Sequence, residues 1–271
     1  MDSTRASWRH ISVDYLPMSA CAGRIWSARL LSLRLETSRA TPPWSTWSGF
    51  SRVGESGAPP VTEDIAPERL IAIVRTRDPE LAVPLAEAIV RGGVTSIEIA
   101  LTTPDALETI TELTSRLADR ALVGAGTVRT VRDARSAIAA GARFLVAPDF
   151  NEDVLDEARA ARIPYVPGAL TPSEVGNILA AGVEMVKIFP AGRLGPAYIR
   201  DLLGPFPQLR PVPTGGVDLS NATDFLQAGA VALGVGSALT SGTGQAGLDG
   251  VSARTRRLKQ LVNTGRVEVR R

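Results

Sequence analysis

The chain has 271 residues, a formal net charge of +2, 44% hydrophobic residues and 21% charged residues, and these values are ordinary for a globular protein. The length allows one large domain or two smaller ones. The single cysteine, Cys21, cannot form an internal disulfide, no apolar run reaches the roughly 18 residues that span a membrane, and no basic stripe with interleaved aromatic residues indicates nucleic-acid binding.

Residues 1–60 differ from the rest of the chain. They are rich in Arg and Ser, lack lysine, and contain the only histidine, His10, and all four tryptophans. Their composition matches an organellar transit peptide, but we favour a disordered extension without function, translated from upstream of the true start. If residues 61–271 are the folded body, that body has neither His nor Cys, which excludes Ser-His and Cys-His nucleophile pairs and metal sites built from these residues.

From about residue 61, short apolar runs alternate with amphipathic segments of ten to fifteen residues, a pattern typical of parallel βα units. A lead-in helix is predicted at residues 61–69. Strands are predicted at residues 70–74, 96–101, 121–126, 144–147, 165–168, 184–191, 211–214 and 230–235. Helices are predicted at residues 79–91, from Thr103 (N-cap) with Pro104 in the first helical position, at 130–140, at 152–161, after the Thr171-Pro172 cap, and at 196–203, 219–228 and 248–262.

Eight such units in about 210 residues predict an α/β fold, a (β/α)₈ TIM barrel with a short N-terminal lead-in helix. A doubly wound open sheet is the alternative. It would normally carry a Gly-rich fingerprint after the first strand, and Arg-Thr-Arg-Asp at 75–78 is not one. In a barrel the active residues lie at the C-terminal ends of the strands, so the candidate residues should all be found there.

Lys187 is the first candidate for chemistry. It lies in the apolar stretch Glu-Met-Val-Lys-Ile-Phe-Pro-Ala at 184–191, and Lys259 is the only other lysine in the chain. Arginine stays protonated in proteins, whereas a buried lysine can lose its proton and attack a carbonyl. We therefore interpret Lys187 as a Schiff-base nucleophile. A strand-end lysine that pairs with a carboxylate or reaches solvent is the structural alternative.

Glu98 is the second candidate, because a carboxylate inside an apolar strand needs a partner. Strand alternation places it on the face of Ser96 and Ala100, away from Ile97 and Ile99. If that face lines the barrel, Glu98 neighbours Lys187 and can serve imine formation and proton transfer. A purely structural ion pair is the alternative.

Glycine-rich segments end three predicted strands, at residues 124–127, 213–217 and 234–238. Barrels often bind phosphate with the loops after strands seven and eight, so the last two segments predict an anion site with hydroxyl donors from Thr214 and Ser237. Tight turns use the same residues, so ordinary turns without a ligand are the structural alternative. Arg75 after strand one is a candidate clamp for a carboxylate, or else an ordinary surface arginine. Pro148 at the end of strand four shapes the rim.

Taken in order, these motifs resemble the class I aldolases of the 2-keto-3-deoxy-6-phosphogluconate (KDPG)/4-hydroxy-2-oxoglutarate (KHG) family. The resemblance covers residues 71–239. It rests on Ile-Glu-Ile at 97–99, Gly-Ala-Gly-Thr at 124–127, Val-Ala-Pro at 146–148, Val-Pro-Gly at 166–168, Val-Lys-Ile-Phe-Pro at 186–190, Gly-Pro-Phe-Pro at 204–207, Pro-Thr-Gly-Gly-Val at 213–217 and Gly-Val-Gly-Ser at 234–237. It implies a cytoplasmic, homotrimeric lyase that needs no cofactor or metal and acts on a phosphorylated 2-keto-3-deoxy sugar acid.

The resemblance also implies residue roles. Lys187 forms the Schiff base and Glu98 is the general acid/base. The remaining substrate contacts implied are Thr127 and Thr214 with the pyruvyl part, Phe189 packed against it, and Gly215, Gly216, Gly236 and Ser237 with the phosphate. One position departs from the pattern, because Thr102 stands where some members carry an arginine, and Arg75 is then the candidate for the carboxylate contact.

Three alternatives stay open at this point. The first is a sister aldolase activity, on 2-dehydro-3-deoxy-6-phosphogalactonate or on 4-hydroxy-2-oxoglutarate. The second is a phosphate-binding barrel isomerase or synthase, of the kind found in tryptophan or thiamine pathways. The third is a barrel that binds a phospho-sugar without catalysis. Neither of the last two needs a nucleophilic lysine.

Overall fold

The computed structural model describes residues 65–241 and 243–264, with residues 243–246 described by their backbone alone. The predictions for residues 1–60 and for the start of the lead-in helix lie outside the described residues. In the described part, residues 66–69 form a turn, so the prediction of a helix up to Arg69 is wrong. Arg69 has a φ of 58° and donates hydrogen bonds to the carbonyls of Ala230 and Val231, which hold this turn against the segment that precedes the last strand.

Parallel strands form the centre of the described fold. Their bounds are Leu70–Val74 (β1), Ser96–Ala100 (β2), Leu122–Gly126 (β3), Leu145–Val146 (β4), Tyr165–Val166 (β5), Gly168–Ala169 (β6), Met185–Ile188 (β7), Arg210–Pro213 (β8) and Leu233–Val235 (β9). One sheet has the order β5-β4-β3-β2-β1-β9 and the other has the order β6-β7-β8. A parallel bridge between Thr214 and Gly234 links the end of β8 to β9. The predicted α/β class with parallel strands is confirmed.

The fifth predicted strand is divided at Pro167. Before the proline, β5 pairs with β4, and after it β6 pairs with β7. Proline has no N–H to donate, but its carbonyl still accepts a hydrogen bond from the Lys187 N–H at 2.9 Å. One continuous run of sequence therefore joins the two sheets.

Helices follow the strands along the chain. Their bounds are Ala82–Arg91 (α1), Ala106–Leu117 (α2), Val131–Ala139 (α3), Glu152–Ala161 (α4), Pro172–Ala180 (α5), Gly195–Leu203 (α6), Ala222–Gln227 (α7), Ser237–Thr240 (α8) and Thr243–Thr264 (α9, kinked at Gly247). Short 3₁₀ segments lie at Pro79–Leu81, Ala118–Arg120 and Ala191–Arg193. None of the helices in these described ranges is long and apolar enough to cross a membrane.

Buried side chains form two clusters on opposite faces of the strands. The larger cluster packs the strands against the helices and includes Ile97, Ile99 and Val186. The smaller cluster lies on the other face and consists, in the described residues, of Ile65, Ile71, Phe144, Val146, Val166, Met185, Val212 and Ala232. Parallel strands buried on both faces read as continuous apolar runs, so a polar side chain within such a run is conspicuous.

The start of α2 differs from the prediction. The helix begins at Ala106 and its N-cap residue is Asp105, with a φ of 54°, so the expected Thr103 cap and Pro104 first position are wrong. The Thr103 hydroxyl instead accepts a long hydrogen bond, 3.4 Å, from the N–H of Thr76 in the loop after β1. A tertiary contact has replaced the local one.

The Thr171 cap of α5 is confirmed. The Thr171 side chain accepts a hydrogen bond from the Glu174 N–H, and the Glu174 carboxylate accepts hydrogen bonds from the N–H groups of Leu170 and Thr171 and from the Thr171 hydroxyl. These bonds, the Leu170 N–H first, hold the pKa of Glu174 below its ordinary value. A Thr130–Asp133 capping box starts α3 in the same way.

We expect Thr171→Ala to lower the free energy of unfolding by about 1 kcal/mol, because the variant loses the side-chain bond that satisfies the start of α5. Denaturant unfolding followed by circular dichroism measures this change. Ser173→Ala, on an exposed residue in the first turn of the same helix, is the matched control and should change stability by less than about 0.5 kcal/mol. Equal effects of the two substitutions would contradict the capping role.

Candidate active site

A cavity of about 250 Å³ opens at the C-terminal ends of β1, β7, β8 and β9. Among the described residues that line it, the charged side chains are Arg75 and Lys187, and both are cationic. The remaining lining residues are Ile73, Phe189, Thr214, Gly215, Gly216, Val217, Gly234, Gly236, Ser237 and Thr240. The cavity lies at the end of the strands where active residues were predicted, and its charge suits an anionic ligand.

Lys187 and Glu98 form a buried pair beneath this cavity. The Lys187 Nζ lies 3.6 Å from Glu98 Oε1, and the two side chains are 6% and 2% exposed. Val186 and Ile188 belong to the helix-packing cluster, so Lys187 projects from the opposite face of β7. Glu98 projects from the corresponding face of β2, as strand alternation predicts. The structure thus brings together the two residues that the sequence singled out.

Glu98 Oε1 accepts no hydrogen bond from any described residue. Its separation from the lysine amine is longer than a hydrogen bond, so this buried oxygen keeps a free lone pair beside a potential nucleophile. An unsatisfied buried acceptor is unfavourable unless a further group pairs with it. The arrangement is what a proton carrier requires, because it can accept a proton from a hydroxyl group or water placed next to the amine.

Gly126 makes room for this carboxylate. A Cβ atom at Gly126 would overlap Glu98 Oε1, and the backbone at Gly126 has no positive φ that would itself demand glycine. Gly234 has the same role for Thr214, whose hydroxyl a Cβ atom at 234 would overlap. Gly126 and Gly234 therefore provide space for polar side chains that belong to neighbouring strands.

Thr127 follows Gly126 in a left-handed conformation, with a φ of 63°. For a β-branched residue this conformation is unusual and costs conformational energy. The Thr127 Oγ1 accepts a hydrogen bond of 3.1 Å from Arg75 Nη2. Thr127 itself does not line the cavity, but it holds a residue that does.

The loops after β7 and β8 pack closely at the other side of the cavity. Gly215 and Gly216 have φ values of 81° and 79°, and the Gly192 N–H donates a 2.7 Å hydrogen bond to the Gly215 carbonyl. A Cβ atom at Gly216 would come within 2.9 Å of the Gly192 Cα. Asn221 Nδ2 donates to the Gly216 carbonyl at 2.8 Å and fixes the turn from outside. Backbone N–H groups in a turn of this kind can bind an anion.

Two of the predicted site residues, Pro148 and Phe189, border a second cavity. Pro148 lines a neighbouring cavity of about 330 Å³ rather than the Lys187 cavity, and Phe189, 38% exposed, borders both. The Lys187 Nζ lies 5.7 Å from the centre of the Phe189 ring. Thr102, at the position of the departure noted in the sequence, is exposed and does not line the cavity.

Sequence reasoning missed two lining residues, Ile73 and Thr240. Thr240 lies three residues after Ser237, on the same face of the short helix α8, so helical spacing could have indicated it. Ile73 lies two positions before the predicted Arg75, so the period of the strand offered the same kind of signal.

This chain is similar to known proteins in both sequence and fold. Residues 61–250 match the aldolase family described as KDPG and KHG aldolase. A 2-dehydro-3-deoxy-phosphogluconate aldolase of Treponema pallidum (strain Nichols) is 40% identical over 159 residues, which are 58% of this chain and 75% of that protein. A KHG/KDPG aldolase of Escherichia coli (strain K12) is 35% identical over 158 residues, with coverages of 58% and 74%.

A solved structure provides the third comparison. The KDPG aldolase of Legionella pneumophila, with pyruvate captured at low pH as a covalent carbinolamine intermediate, is 30% identical, with a TM-score of 0.62, and the match covers 74% of this chain and 94% of that one. The family resemblance stated from the sequence is confirmed. The chain belongs to the KDPG and KHG aldolase family and is a lyase.

Proposed function

We propose that the protein is a class I aldolase that cleaves 2-dehydro-3-deoxy-6-phosphogluconate to pyruvate and glyceraldehyde 3-phosphate. The observation that carries this proposal is the buried Lys187–Glu98 pair, at 3.6 Å, next to a cavity whose charged lining is cationic. An amine beside a carboxylate supports imine formation and proton transfer, while Arg75 and the glycine turns of the lining suit a substrate that carries both a carboxylate and a phosphate.

The reaction proceeds through a covalent intermediate. The neutral Lys187 amine attacks the C2 ketone, and the C2 oxygen leaves as water with a proton donated by Glu98, which gives an iminium that withdraws electrons from C3. Glu98 then takes the proton of the C4 hydroxyl, directly or through a water, and the C3–C4 bond breaks. Glyceraldehyde 3-phosphate leaves, and the remaining enamine is protonated at C3 and hydrolysed to pyruvate. Because the iminium is the electron sink, these steps need no cofactor.

The other lining residues would orient the substrate. Arg75 pairs with the carboxylate, since its guanidinium lines the cavity while Thr127 holds it from behind. Thr214 flanks the pyruvyl part and the Phe189 ring covers it, whereas Thr127 lies outside the cavity lining and acts on the pyruvyl carboxylate through Arg75. The phosphate lies at the opposite end of the cavity, against Gly215, Gly216, Gly236 and Ser237. Pro148 remains a candidate for shaping the rim from the adjoining cavity.

We infer that the two sheets are arcs of one (β/α)₈ barrel. The Thr214–Gly234 bridge joins them on one side, the run through Pro167 joins them on the other, and the smaller apolar cluster draws side chains from both. Three further proposals rest on the family resemblance. They are that residues 61–271 form one domain, that the protein is a homotrimer, and that it is located in the cytoplasm.

A sister activity is the second candidate. The Escherichia coli relative is named for both KHG and KDPG, and another relative from that organism, 32% identical, is a 2-dehydro-3-deoxy-6-phosphogalactonate aldolase. The glycine turns and Ser237 favour a phosphorylated substrate over 4-hydroxy-2-oxoglutarate. Measuring kcat/KM on the three substrates ranks the activities.

A phosphate-binding isomerase, a synthase or a non-catalytic binder would need no nucleophile at position 187.

Incubation with pyruvate and borohydride should attach a stable adduct to Lys187, because borohydride reduces the imine that this amine forms. Peptide mapping by mass spectrometry locates the adduct. Lys259 is the internal control, since it is the only other lysine and its Nζ donates to the Gly93 carbonyl.

Lys259→Arg should still gain the adduct, and Lys187→Ala should not. Because the Ala variant leaves Glu98 buried without a partner, its folding has to be checked by circular dichroism, whereas mapping of the unmutated protein does not depend on any variant. An unmutated protein without an adduct on Lys187 would rule out the Schiff-base mechanism.

Gly126→Ala should lower kcat by roughly 100-fold, because the added Cβ atom displaces the Glu98 carboxylate from its place beside the substrate. Steady-state cleavage assays measure the loss. Gly176→Ala is the control, since its Cβ atom would lie 3.8 Å from the Phe206 ring in ordinary contact, and activity should be unchanged. Full activity of Gly126→Ala would exclude Glu98 as the proton carrier.

Ser237→Ala should raise KM for the phosphorylated substrate by roughly tenfold or more, because one hydrogen bond to a charged group is lost. The pyruvate concentration that half-saturates adduct formation should stay the same, because pyruvate carries no phosphate. A matched rise in both quantities would place Ser237 at the pyruvyl end of the cavity instead.

A further inference from the structure

An ion pair connects the loops that follow β3 and β4. Arg129 donates from Nε and Nη2 to the same oxygen, Asp149 Oδ2, at 2.9 and 2.7 Å. Asn151 Nδ2 donates to the Arg129 carbonyl at 3.1 Å. The Asp149 carbonyl in turn accepts hydrogen bonds from the Gly168 N–H at 3.1 Å and from the Tyr165 hydroxyl at 3.4 Å. The contacts tie the loop after β3 to the next two strand–helix units.

This loop contains the strained Thr127. Its left-handed backbone is unfavourable for a β-branched residue and persists only where the surroundings hold it. On one side, Gly126 is fixed in β3. On the other side, the buried Val128 donates its N–H to the Val146 carbonyl at 3.1 Å, and the Arg129 contacts follow at once. The two residues after Thr127 are therefore anchored to β4 and its loop.

The strained residue acts on the cavity through one hydrogen bond. Thr127 Oγ1 accepts from Arg75 Nη2 at 3.1 Å, and Arg75 lines the cavity beside Lys187. A change in the backbone of Thr127 would move its hydroxyl and release the guanidinium. Because a guanidinium recognises a carboxylate in one plane, its orientation decides how well it binds.

We propose that Asp149 is a positioning residue, which acts through Arg129 to hold Thr127 in its left-handed conformation and thereby orients Arg75 towards the substrate carboxylate. The inference rests on the proposed function, in which Arg75 binds that carboxylate. Asp149 lines the adjoining cavity with Pro148 and Phe189 rather than the Lys187 cavity, so we assign its effect on binding to the contacts through Arg129 and Thr127.

The competing interpretation is an ordinary surface ion pair. Exposed pairs usually contribute little to stability, and the Arg129 and Asp149 side chains are 60% and 43% exposed. A matched pair on the same two units provides the control. Arg135 on α3 and Glu157 on α4 lie 2.6 Å apart, with exposures of 68% and 25%, and neither residue lines the Lys187 cavity. Removing either acid changes the net charge by the same amount.

Borohydride trapping of pyruvate tests the proposal, with the half-saturating pyruvate concentration as the readout. Asp149→Ala should raise this concentration roughly three- to tenfold while the extent of trapping at saturation stays unchanged, because Lys187 is intact and only the carboxylate contact is weakened. Asp149→Asn, which keeps an oxygen acceptor for Arg129, should recover part of the loss. Glu157→Ala should leave the value unchanged.

Coupling to Thr127 separates positioning from a general loss of structure. Thr127→Ala removes the hydroxyl that holds Arg75, so adding Asp149→Ala to it should cause no further rise. Additive effects of the two substitutions would overturn the proposal, as would an Asp149→Ala value equal to that of the unmutated protein. Denaturant midpoints of the Asp149→Ala and Glu157→Ala variants should agree, and a selective drop for Asp149→Ala would assign the pair a structural role instead.

The unmutated protein separates the two levels of inference. If it traps no pyruvate, the proposed function fails and the positioning role fails with it. If it traps pyruvate with a defined half-saturation and Asp149→Ala does not shift that value, the aldolase mechanism stands and the positioning role alone is wrong.

Discussion

Burial of the Lys187–Glu98 pair is the constraint on which the rest of the site depends. Removing one member of a buried ion pair typically costs about 3–5 kcal/mol, because the remaining charge lies in a medium that solvates it poorly. At 3.6 Å the two groups attract each other without a hydrogen bond between them. The two charges are therefore close enough to stabilise each other, and Glu98 Oε1 is still able to accept a hydrogen bond from a reacting group. Gly126 serves this arrangement by leaving the carboxylate its space.

The strands that carry the pair pack against the helices with one face and present the reactive side chains on the other. On β7, Val186 and Ile188 pack against the helices, while Lys187 faces the other way. On β2, Ile97 and Ile99 do the same and leave Glu98 on the inner face. Stability and chemistry are thus separated by the two-residue period of the strand. A shift of register by one residue would exchange them, so the apolar packing also fixes the direction of the reactive groups.

How much could be predicted from the sequence depended on how local the cause was. Lys187 and Glu98 were found because each is a charge in an apolar run, and the Thr171 cap because its hydrogen bonds lie within four residues. The Thr103 cap was wrong because a hydrogen bond from Thr76, 27 positions away, uses that hydroxyl.

Causes that involve several strands could not be read from local patterns. The division at Pro167 follows from which neighbour each half of the strand meets. The Arg129–Asp149 pair joins loops 20 positions apart, and sequence alternation gives no sign of it. Within the cavity, Thr240 lies one helical turn after the predicted Ser237, and Ile73 lies one strand period before the predicted Arg75, so both positions follow from the same local pattern.

The division at Pro167 has a consequence for the chemistry. Glu98 belongs to the six-stranded sheet and Lys187 to the three-stranded one. The gap between the amine and the carboxylate is therefore a distance between two sheets, which meet at two joints, Pro167 and the Thr214–Gly234 bridge, and no shared ladder of hydrogen bonds among the described strands spans it. The relative position of the two sheets at these joints therefore affects the separation of the reactive atoms. A substitution at either joint would alter proton transfer without touching a reacting group.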